Sequence, residues 1–346
     1  MLTFLSILAS LLALAIIILT HEAGHFLVSR ALKIPVKEFA IGFGPKLISW
    51  QRGMTTFSLR MIPMGGYVRY FGAEEDEDES LAFAKTNVFK RMLALSAGVA
   101  ANILLAVVII TVSTMTYGVA TGLSPVISAV TEGGPAQSAG IMAGDRIVAI
   151  NNHPGETWDE IVALINAADG GIIDVSVERN GEKFTTALTP VFDEESQRTL
   201  IGINAGYLKT RLSLFEAVPT AFYNVWNMAS NMLTGIKDMI FRSSEVQGDI
   251  IGIVGVVDIM SEGARQSFET FLLFAVMLSV NLALLNFLPF PALDGGKIIF
   301  LILEAIRGKP VDPNKEGVVH LAGMLLLMAL AVVMTYKDIA RLITGG

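Results

Sequence analysis

Four long apolar stretches dominate the chain, and most of its polar residues lie between them. The stretches cover residues 2–29, 92–117, 271–293 and 318–335. Each is close to the about 20 apolar residues that a helix needs to cross the hydrocarbon core of a bilayer. We therefore predict a polytopic α-helical membrane protein with four transmembrane helices. The first stretch has neither a basic residue before it nor a small-residue cleavage motif after it, so we expect a retained helix rather than a signal peptide.

A different pattern fills the interval between the second and third stretches, where short runs of strand-forming residues alternate with turns. Strands are predicted at residues 125–130, 146–150, 172–178 and 184–188. A helix is predicted at residues 157–168, where Thr157 is the N-cap candidate and Glu160 follows three residues later. The pattern predicts one inserted α+β domain at residues 121–208.

Two further segments have patterns of their own. Residues 55–71 alternate between apolar and polar side chains around a Pro-Met-Gly-Gly turn, which predicts a β-hairpin. This hairpin is more apolar than a loop in water, so we expect it to lie against an active site and offer an edge strand to an extended peptide. Residues 213–242 carry apolar side chains, Phe215, Phe222 and Trp226 among them, at spacings of three and four. They predict a helix that lies in the membrane interface or packs on the protein, and the pattern favours neither.

Composition supports a membrane protein and excludes other classes. The 346-residue chain is 53% hydrophobic and 16% charged, below the about 25% charged residues typical of soluble domains. Its net charge of −7 and its lack of a basic stripe argue against nucleic acid as a partner. An acidic run from Glu74 to Glu79 is interpreted as a solvated linker. Cysteine is absent, so metal ligands have to come from histidine, aspartate or glutamate.

The sequence HEAGH at residues 21–25 ends the first apolar stretch. On a helix, positions i and i+4 project from the same face, so His21 and His25 can reach a single metal ion. Zinc suits imidazole ligands and lowers the pKa of a water molecule toward about 7, and Glu22 is placed to take the proton of that water. The motif therefore predicts a zinc protease site at the depth of a membrane, with Glu22 as the catalytic base.

A third ligand is needed, because catalytic zinc sites usually combine three protein ligands with a water molecule. Asp294 is the candidate, since acidic residues at membrane depth are costly and usually functional. Pro289 and Pro291 stop a regular helix just before it, and Gly295-Gly296 would let the unwound backbone approach another group closely. The alternative is an aspartate that is solvated in a loop.

The other two histidines are interpreted as structural. His153 is expected at the surface of the inserted domain, and His320 at the start of the fourth helix is expected to be an interfacial or packing residue. Orientation follows from the basic residues, of which ten lie in residues 30–91, three (Arg307, Lys309 and Lys315) in the short loop before the fourth stretch, and nine over residues 121–270. The first and third connections are therefore predicted to be cytoplasmic, with HEAGH near that side and the inserted domain outside.

The run GGPAQSAGIMAGDRIVAINN, at residues 133–152, resembles the bacterial PDZ domain. PDZ domains bind peptides by adding a strand beside a helix, and here the helix at 157–168 and the loop at 122–125 would frame the groove. The functional interpretation is that the groove gates or sizes the outer segment of a substrate. The alternative is a rigid spacer whose groove stays empty.

Three features together resemble the site-2 protease family of intramembrane zinc metalloproteases, of the bacterial RseP (regulator of sigma-E protease) type. They are HExxH in the first helix, a PDZ module between the second and third, and NxxPxPxLDGG at residues 286–296. The resemblance implies that His21, His25 and Asp294 bind one Zn²⁺ and that Glu22 is the base. The best-studied members carry two tandem PDZ domains, whereas this chain has room for one.

The same resemblance suggests residues that hold the substrate backbone. They are Gly65, Gly66, Asn102, Asn281 and Asn286. Asn102 belongs to a GxxxN pattern that begins at Gly98, and Asn286 opens the NxxPxPxLDGG motif. For the three asparagines, hydrogen bonding between helices is the alternative to substrate contact.

We divide the chain into an N-terminal membrane half (1–120), a PDZ domain (121–208), an amphipathic or interfacial linker (209–262) and a C-terminal membrane half (263–346). The expected protein is an intramembrane zinc endopeptidase in the inner or plasma membrane of a bacterium. Its expected partners are lipid, a peptide in the PDZ groove, and single-pass membrane substrates. The resemblance suggests anti-sigma factors or remnant signal peptides as substrates. The alternatives are an inactive PDZ-bearing membrane scaffold and a metal transporter.

Overall fold

The computed structural model describes residues 2–72, 83–168, 170–193, 198–241 and 252–344. The chain forms two compact units, one made of Met1–Ser113 with Leu214–Gly346 and the other of Thr114–Ser213. The acidic run Glu74–Glu79, interpreted above as a linker, lies outside the described residues.

The secondary-structure elements are numbered along the chain. The helices are α1 (Leu2–Ala31), α2 (Val88–Thr116), α3 (Pro135–Ser138), α4 (Trp158–Asn166), α5 (Leu214–Phe241), α6 (Ile253–Gln266), α7 (Phe268–Phe287), α8 (Asp294–Arg307) and α9 (Pro313–Thr344). The strands are β1 (Val36–Arg52), β2 (Thr55–Tyr70), β3 (Val119–Val130), β4 (Arg146–Ile150), β5 (His153–Pro154), β6 (Ile173–Arg179), β7 (Glu182–Leu188), β8 (Val191–Asp193), β9 (Arg198–Leu200) and β10 (Ile203–Thr210).

Within the described residues, four helices are long and apolar enough to cross a membrane, and they correspond to the four predicted stretches. They span Thr3–Ala31, Val88–Thr116, Phe268–Phe287 and Pro313–Arg341. The third helix is shorter than predicted, because it ends at Phe287 rather than at residue 293. Pro289 explains the end, since proline lacks the N–H that a continuing helix needs and restricts the residue before it.

Helix α8 was not predicted. Gly295 and Gly296 were expected in an unwound segment, but they form the first turn of this helix and are buried. Ile298 and Leu301, three residues apart, pack beside Leu95 of α2. The helix ends at Gly308, whose φ of 70° is the left-handed conformation common after a helix C-terminus. The unwound backbone before Asp294 is therefore only the short connection at residues 288–293.

The predicted hairpin region is β-structure, but its pairing differs from the prediction. Residues 56–59 and 66–69 do not pair with each other, because both pair with residues 38–41 of β1, one on each side. Phe39, for example, is opposite both Phe57 and Val68. The tight hairpin turn lies instead at Gly53, with a φ of 65°, between β1 and β2. Residues 66–70 form an edge of this sheet, with no strand on their outer side among the described residues.

Helix α5, predicted either to lie in the membrane interface or to pack on the protein, packs on the protein through a face that was not predicted. It packs on α2 and α7 through Ala221 and Val225, which lie against side chains such as Val107 and Val280. Its aromatic residues point away, and Phe215 is 89% exposed. The buried face of the helix is therefore the small-residue face, and the aromatic face is exposed.

The second unit is an α+β module whose predicted elements are confirmed. Its main sheet has the order β10-β3-β4-β6-β7, and β5 pairs with β4. A core of Ile127, Ile147, Ile161 and Val175, all at most 1% exposed, lies between the sheet and α4. Thr157 caps α4 and its reciprocal bonds with Glu160 form the predicted capping box. Sequence reasoning missed β8, β9 and β10.

A cavity of about 580 Å³ runs along α4 in this unit. Trp158 and Val162 of α4 line one side of it, and residues 198–205 of β9 and β10 line the other. The segment 122–125, expected to be a loop at the groove, lies within strand β3, and only Leu123 of it reaches the cavity. His153 is exposed in β5, as expected.

Candidate active site

Three predicted ligands meet inside the larger unit, although Asp294 lies 273 positions after His21 in the sequence. The Nε2 atoms of His21 and His25 are 3.1 Å apart, and Oδ2 of Asp294 lies 3.0 Å and 3.1 Å from them. The two histidines are one helical turn apart on α1, and Asp294 is the first residue of α8. All three side chains are buried or nearly so. The site is thus made where the first residue of α8 meets one turn of α1.

The hydrogen bonds around His25 fit a cation at this position. Its Nδ1–H donates to the carbonyl of Ala94 over 2.8 Å, because a carbonyl can only accept. Nε2 of His25 then carries a lone pair, and it faces another imidazole nitrogen and a carboxylate oxygen. Such a convergence of electron-rich atoms in a buried place is stabilised by a metal ion, and an N–H bonded to backbone is the usual partner of a histidine ligand. Two imidazoles and one carboxylate form a donor set that zinc prefers.

A glycine lets α2 approach this cluster. A Cβ atom on Gly98 would lie 2.7 Å from Nε2 of His21 and would overlap Nε2 of His25. Gly24 of α1 likewise allows a close approach to α2, since a Cβ there would be 2.7 Å from Cβ of Ala101. The two glycines therefore let α1 and α2 pack backbone to backbone at the metal ligands.

Glu22 faces the cluster from the next position on α1. A cavity of about 350 Å³ is lined by His21, Glu22, His25 and Asp294 together with parts of the sheet and of α7. The carboxylate thus shares one chamber with the three ligands, as a base acting on a water molecule would require.

The edge segment 66–70 forms a wall of the same chamber. Tyr67, Val68 and Tyr70 line it, and a Cβ on Gly66 would be 3.3 Å from Cγ of Glu22. Burial raises the pKa of Tyr70 to about 12, so its hydroxyl stays protonated, with Ser29 as a hydrogen-bond partner at 2.8 Å. An edge segment of the sheet therefore lies beside Glu22.

The predicted substrate contacts separate into two groups. Asn286 lines the cavity, and Gly66, although not a lining residue, approaches Glu22. Asn281 and Asn102 are not among its lining residues. Asn102 is fully buried, and its side-chain amide has no hydrogen-bond partner among the described residues. Gly65 has a φ of 98°, which glycine adopts readily, and it bends β2 before the edge segment.

Sequence reasoning missed some residues at the site. Tyr70 and Lys297 line the cavity and were not predicted. His320 was predicted as an interfacial or packing residue, but its hydrogen bond to the connection before Asp294 was not. A lone lysine three residues after an intramembrane aspartate was a signal that could have identified Lys297. The contacts of Tyr70 and His320 depend on tertiary packing and leave no local pattern.

Comparison with known proteins agrees with this geometry. The profile of Peptidase family M50 matches residues 9–330. The chain belongs to this peptidase family. It is accordingly a zinc metalloprotease, and its long apolar helices make it a membrane protein of the site-2 protease type.

Relatives in this family match along nearly the whole chain. A protein of Clostridium acetobutylicum is 32% identical over 337 residues, which cover 97% of this chain and 98% of the relative. The zinc metalloprotease RasP of Geobacillus kaustophilus is 28% identical, covering 98% of this chain and 99% of its own. The regulator of sigma-W protease RasP of Bacillus subtilis is 27% identical, covering 97% and 99%.

Solved PDZ domains of SdrC-like proteins match part of this M50 chain. That of Listeria monocytogenes is 19% identical and covers 24% of this chain and 86% of its own, with a TM-score of 0.22. That of Listeria innocua is 17% identical and covers 26% and 99%, with a TM-score of 0.23.

Proposed function

We propose that this peptidase cuts single-pass membrane proteins within or beside the bilayer, in regulated intramembrane proteolysis. His21, His25 and Asp294 hold one Zn²⁺ in this proposal, and Glu22 is the catalytic base. The observation that carries it is the convergence of three ligand atoms within 3.1 Å of one another, beside Glu22 and inside one buried chamber.

The chemistry follows from the donor set and the neighbouring carboxylate. His21, His25 and Asp294 would hold the zinc ion, which would supply Lewis acidity for the scissile carbonyl and lower the pKa of water. Glu22 takes the proton from the attacking water and passes it to the nitrogen of the leaving amine. Asn286 can donate its side-chain N–H to a substrate carbonyl, because amide side chains carry two donors.

The substrate has to be extended before it can be cut, since the carbonyl groups of a helix are hydrogen-bonded and shielded within the helix. Pairing with the edge segment at residues 66–70, which has no further strand beside it among the described residues, satisfies the backbone of the extended substrate and stabilises it beside Glu22. Because Gly66 has no side chain, a peptide beside this segment can approach Glu22.

The substrate class and the sidedness come from other observations. The Bacillus subtilis relative is named for sigma-W regulation, so anti-sigma factors are proposed as substrates, with remnant signal peptides as a second source. Loop charges favour an active site near the cytoplasm and an extracytoplasmic second unit in a bacterial inner or plasma membrane. In this proposal that unit is a PDZ domain, and the cavity between α4 and residues 198–205 takes a peptide of the outer segment.

Purified chain with Glu22→Gln tests the function directly. We expect both wild type and variant to bind about one zinc per chain in detergent. We expect only wild type to cut a tagged single-pass membrane protein, because glutamine cannot accept the proton. Cleavage by the variant would reject Glu22 as the base. A wild type that binds no zinc while correctly folded would favour the inactive scaffold.

A further inference from the structure

The connection that carries Asp294 into the site is short and unusually shaped. Residues 288–293 join α7 to α8, and Asp294 follows at once. Ala292 has a φ of 78°, a conformation that residues other than glycine rarely adopt without outside support. The N-cap of α8 is Leu293, which has no side-chain oxygen to cap the helix. The connection therefore needs contacts from elsewhere to hold its shape.

His320 on α9 supplies one such contact. Its Nδ1 accepts the backbone N–H of Ala292 over 2.8 Å. Because Nδ1 accepts, the ring proton is on Nε2, and Nε2 has no hydrogen-bond partner among the described residues. The bond reaches the strained residue itself, two positions before the proposed ligand.

The backbone of α9 reinforces this contact one turn later. A Cβ on Gly323 would lie 2.5 Å from Cβ of Pro291 and 2.6 Å from its carbonyl oxygen, so α9 and the connection touch directly. The ring of His320 also packs on Phe300 of α8, with ring centroids 5.4 Å apart. His320 thus contacts both the connection that precedes Asp294 and the helix α8 that begins with it.

We propose that His320 is a positioning residue for the metal centre. By holding the left-handed turn at Ala292, it sets the place of the Asp294 carboxylate relative to the two imidazoles on α1. Zinc–oxygen bonds vary little from about 2.1 Å, so a small displacement of the turn weakens the third ligand. The inference rests on the proposed zinc site and adds a residue that contributes no ligand atom.

Two variants separate the hydrogen bond from the packing of the ring. In His320→Phe the aromatic ring remains and the acceptor is lost. In His320→Asn the ring is lost, but the side-chain oxygen can accept at about the position of Nδ1. We expect zinc affinity, measured by chelator competition on the full chain in detergent, to fall about 10- to 100-fold in the phenylalanine variant. The asparagine variant should recover most of that loss.

The visible spectrum of the Co²⁺-substituted protein gives a readout that is independent of cleavage. We expect the phenylalanine variant to have an altered ligand-field spectrum, and the asparagine variant to resemble wild type. Thermal unfolding in detergent checks that each variant is folded. Wild-type affinity and spectrum in His320→Phe would overturn the proposal, as would an asparagine variant no better than the phenylalanine variant.

Failure of this inference is distinguishable from failure of the proposed function. If wild type binds zinc and Asp294→Ala does not, the metal site stands whatever His320 does. A wild type that binds no zinc removes the metal site and this inference together.

Discussion

At the scale of single residues, the space around the two histidines is as important as their spacing. HEAGH could be read from the sequence because i and i+4 share a helical face. The sequence could not say that Gly98 of α2 would press against both rings. The GxxxN pattern marked that glycine, but only the packing of α1 on α2 gives the physical reason for it.

Gly98→Ala tests this reason. The added methyl group would overlap Nε2 of His25 and lie 2.7 Å from Nε2 of His21, so it competes with the metal for space. We expect zinc affinity to fall by at least about tenfold, with cleavage lost in parallel. Gly235→Ala on α5 is the matched control, because a Cβ there meets nothing within 4 Å. Equal zinc affinity in both variants would contradict the packing argument.

Two asparagines on α7 were predicted alike from the sequence, and the structure distinguishes them. Asn286 lines the active-site cavity, whereas Asn281 does not. We expect Asn286→Ala to keep its zinc and to lose about 10- to 100-fold in kcat/KM, the cost of one hydrogen bond to a reacting group. Asn281→Ala should lose far less. Steady-state cleavage is measured with parallel zinc analysis, and equal losses in the two variants would contradict the distinction drawn from the cavity lining.

At the scale of secondary-structure elements, a buried charge cluster holds the sheet beside the active site. Glu38 of β1 is 2% exposed and accepts hydrogen bonds from Ser58 (2.7 Å) and Arg60 (2.9 Å) of β2. Lys46 and Arg69 approach it to 3.5 Å. Burial alone would raise the pKa of Glu38, but these bonds and cations lower it from 4.5 to about 2. The ionised carboxylate therefore joins both halves of β2 to β1.

The direction of this pKa shift fixes a pH dependence. A carboxyl whose folded pKa is depressed stabilises the fold fully above its ordinary value of 4.5, and this contribution is lost as pH falls toward 2. In hydrogen exchange of the detergent-purified chain, protection of residues 36–70 should drop over that window. Glu38→Gln should lower protection by about 2 kcal/mol at neutral pH, because three cations lose their anion, and should remove the pH step. Exposed Glu132 is the control position for the same substitution, and a pH step that survives in Glu38→Gln would assign it to another group.

The differences between prediction and structure at this scale have a common cause. Apolar length predicted the spanning helices, and alternation with a capping box predicted β4, β6, β7 and α4, because those signals are local. The partner of each half of β2 depends on residues 38–41, nearly twenty or thirty positions away, so no local pattern specified it. The buried face of helix α5 was not predicted for a different reason. Its large apolar side chains, which form the strongest pattern in the sequence, are exposed, and its small residues are buried. Asp294 was identified because an acidic residue at membrane depth is energetically costly, but helix α8, which begins with it, was not predicted.

At the scale of the whole molecule, two units with separate cores divide the work in the proposed function. The metal site lies entirely in the unit of Met1–Ser113 and Leu214–Gly346, and the groove beside α4 lies entirely in Thr114–Ser213. Each can therefore be altered without touching the residues of the other. This separation makes it possible to ask whether the groove selects substrates or only occupies space.

Val162→Lys asks that question. Val162 lines the groove, so a lysine there should hinder an apolar peptide from entering while leaving the zinc content unchanged. We expect a change in cleavage only for a substrate that retains its outer segment, and the wild-type rate for one trimmed to its membrane segment. Ile172→Lys, at a position 74% exposed and outside the groove, adds the same charge as a control. If both substrates are cut at wild-type rates, the groove is a spacer. If both slow equally, the substitution acts through the membrane unit, and the division of work between the two units is wrong.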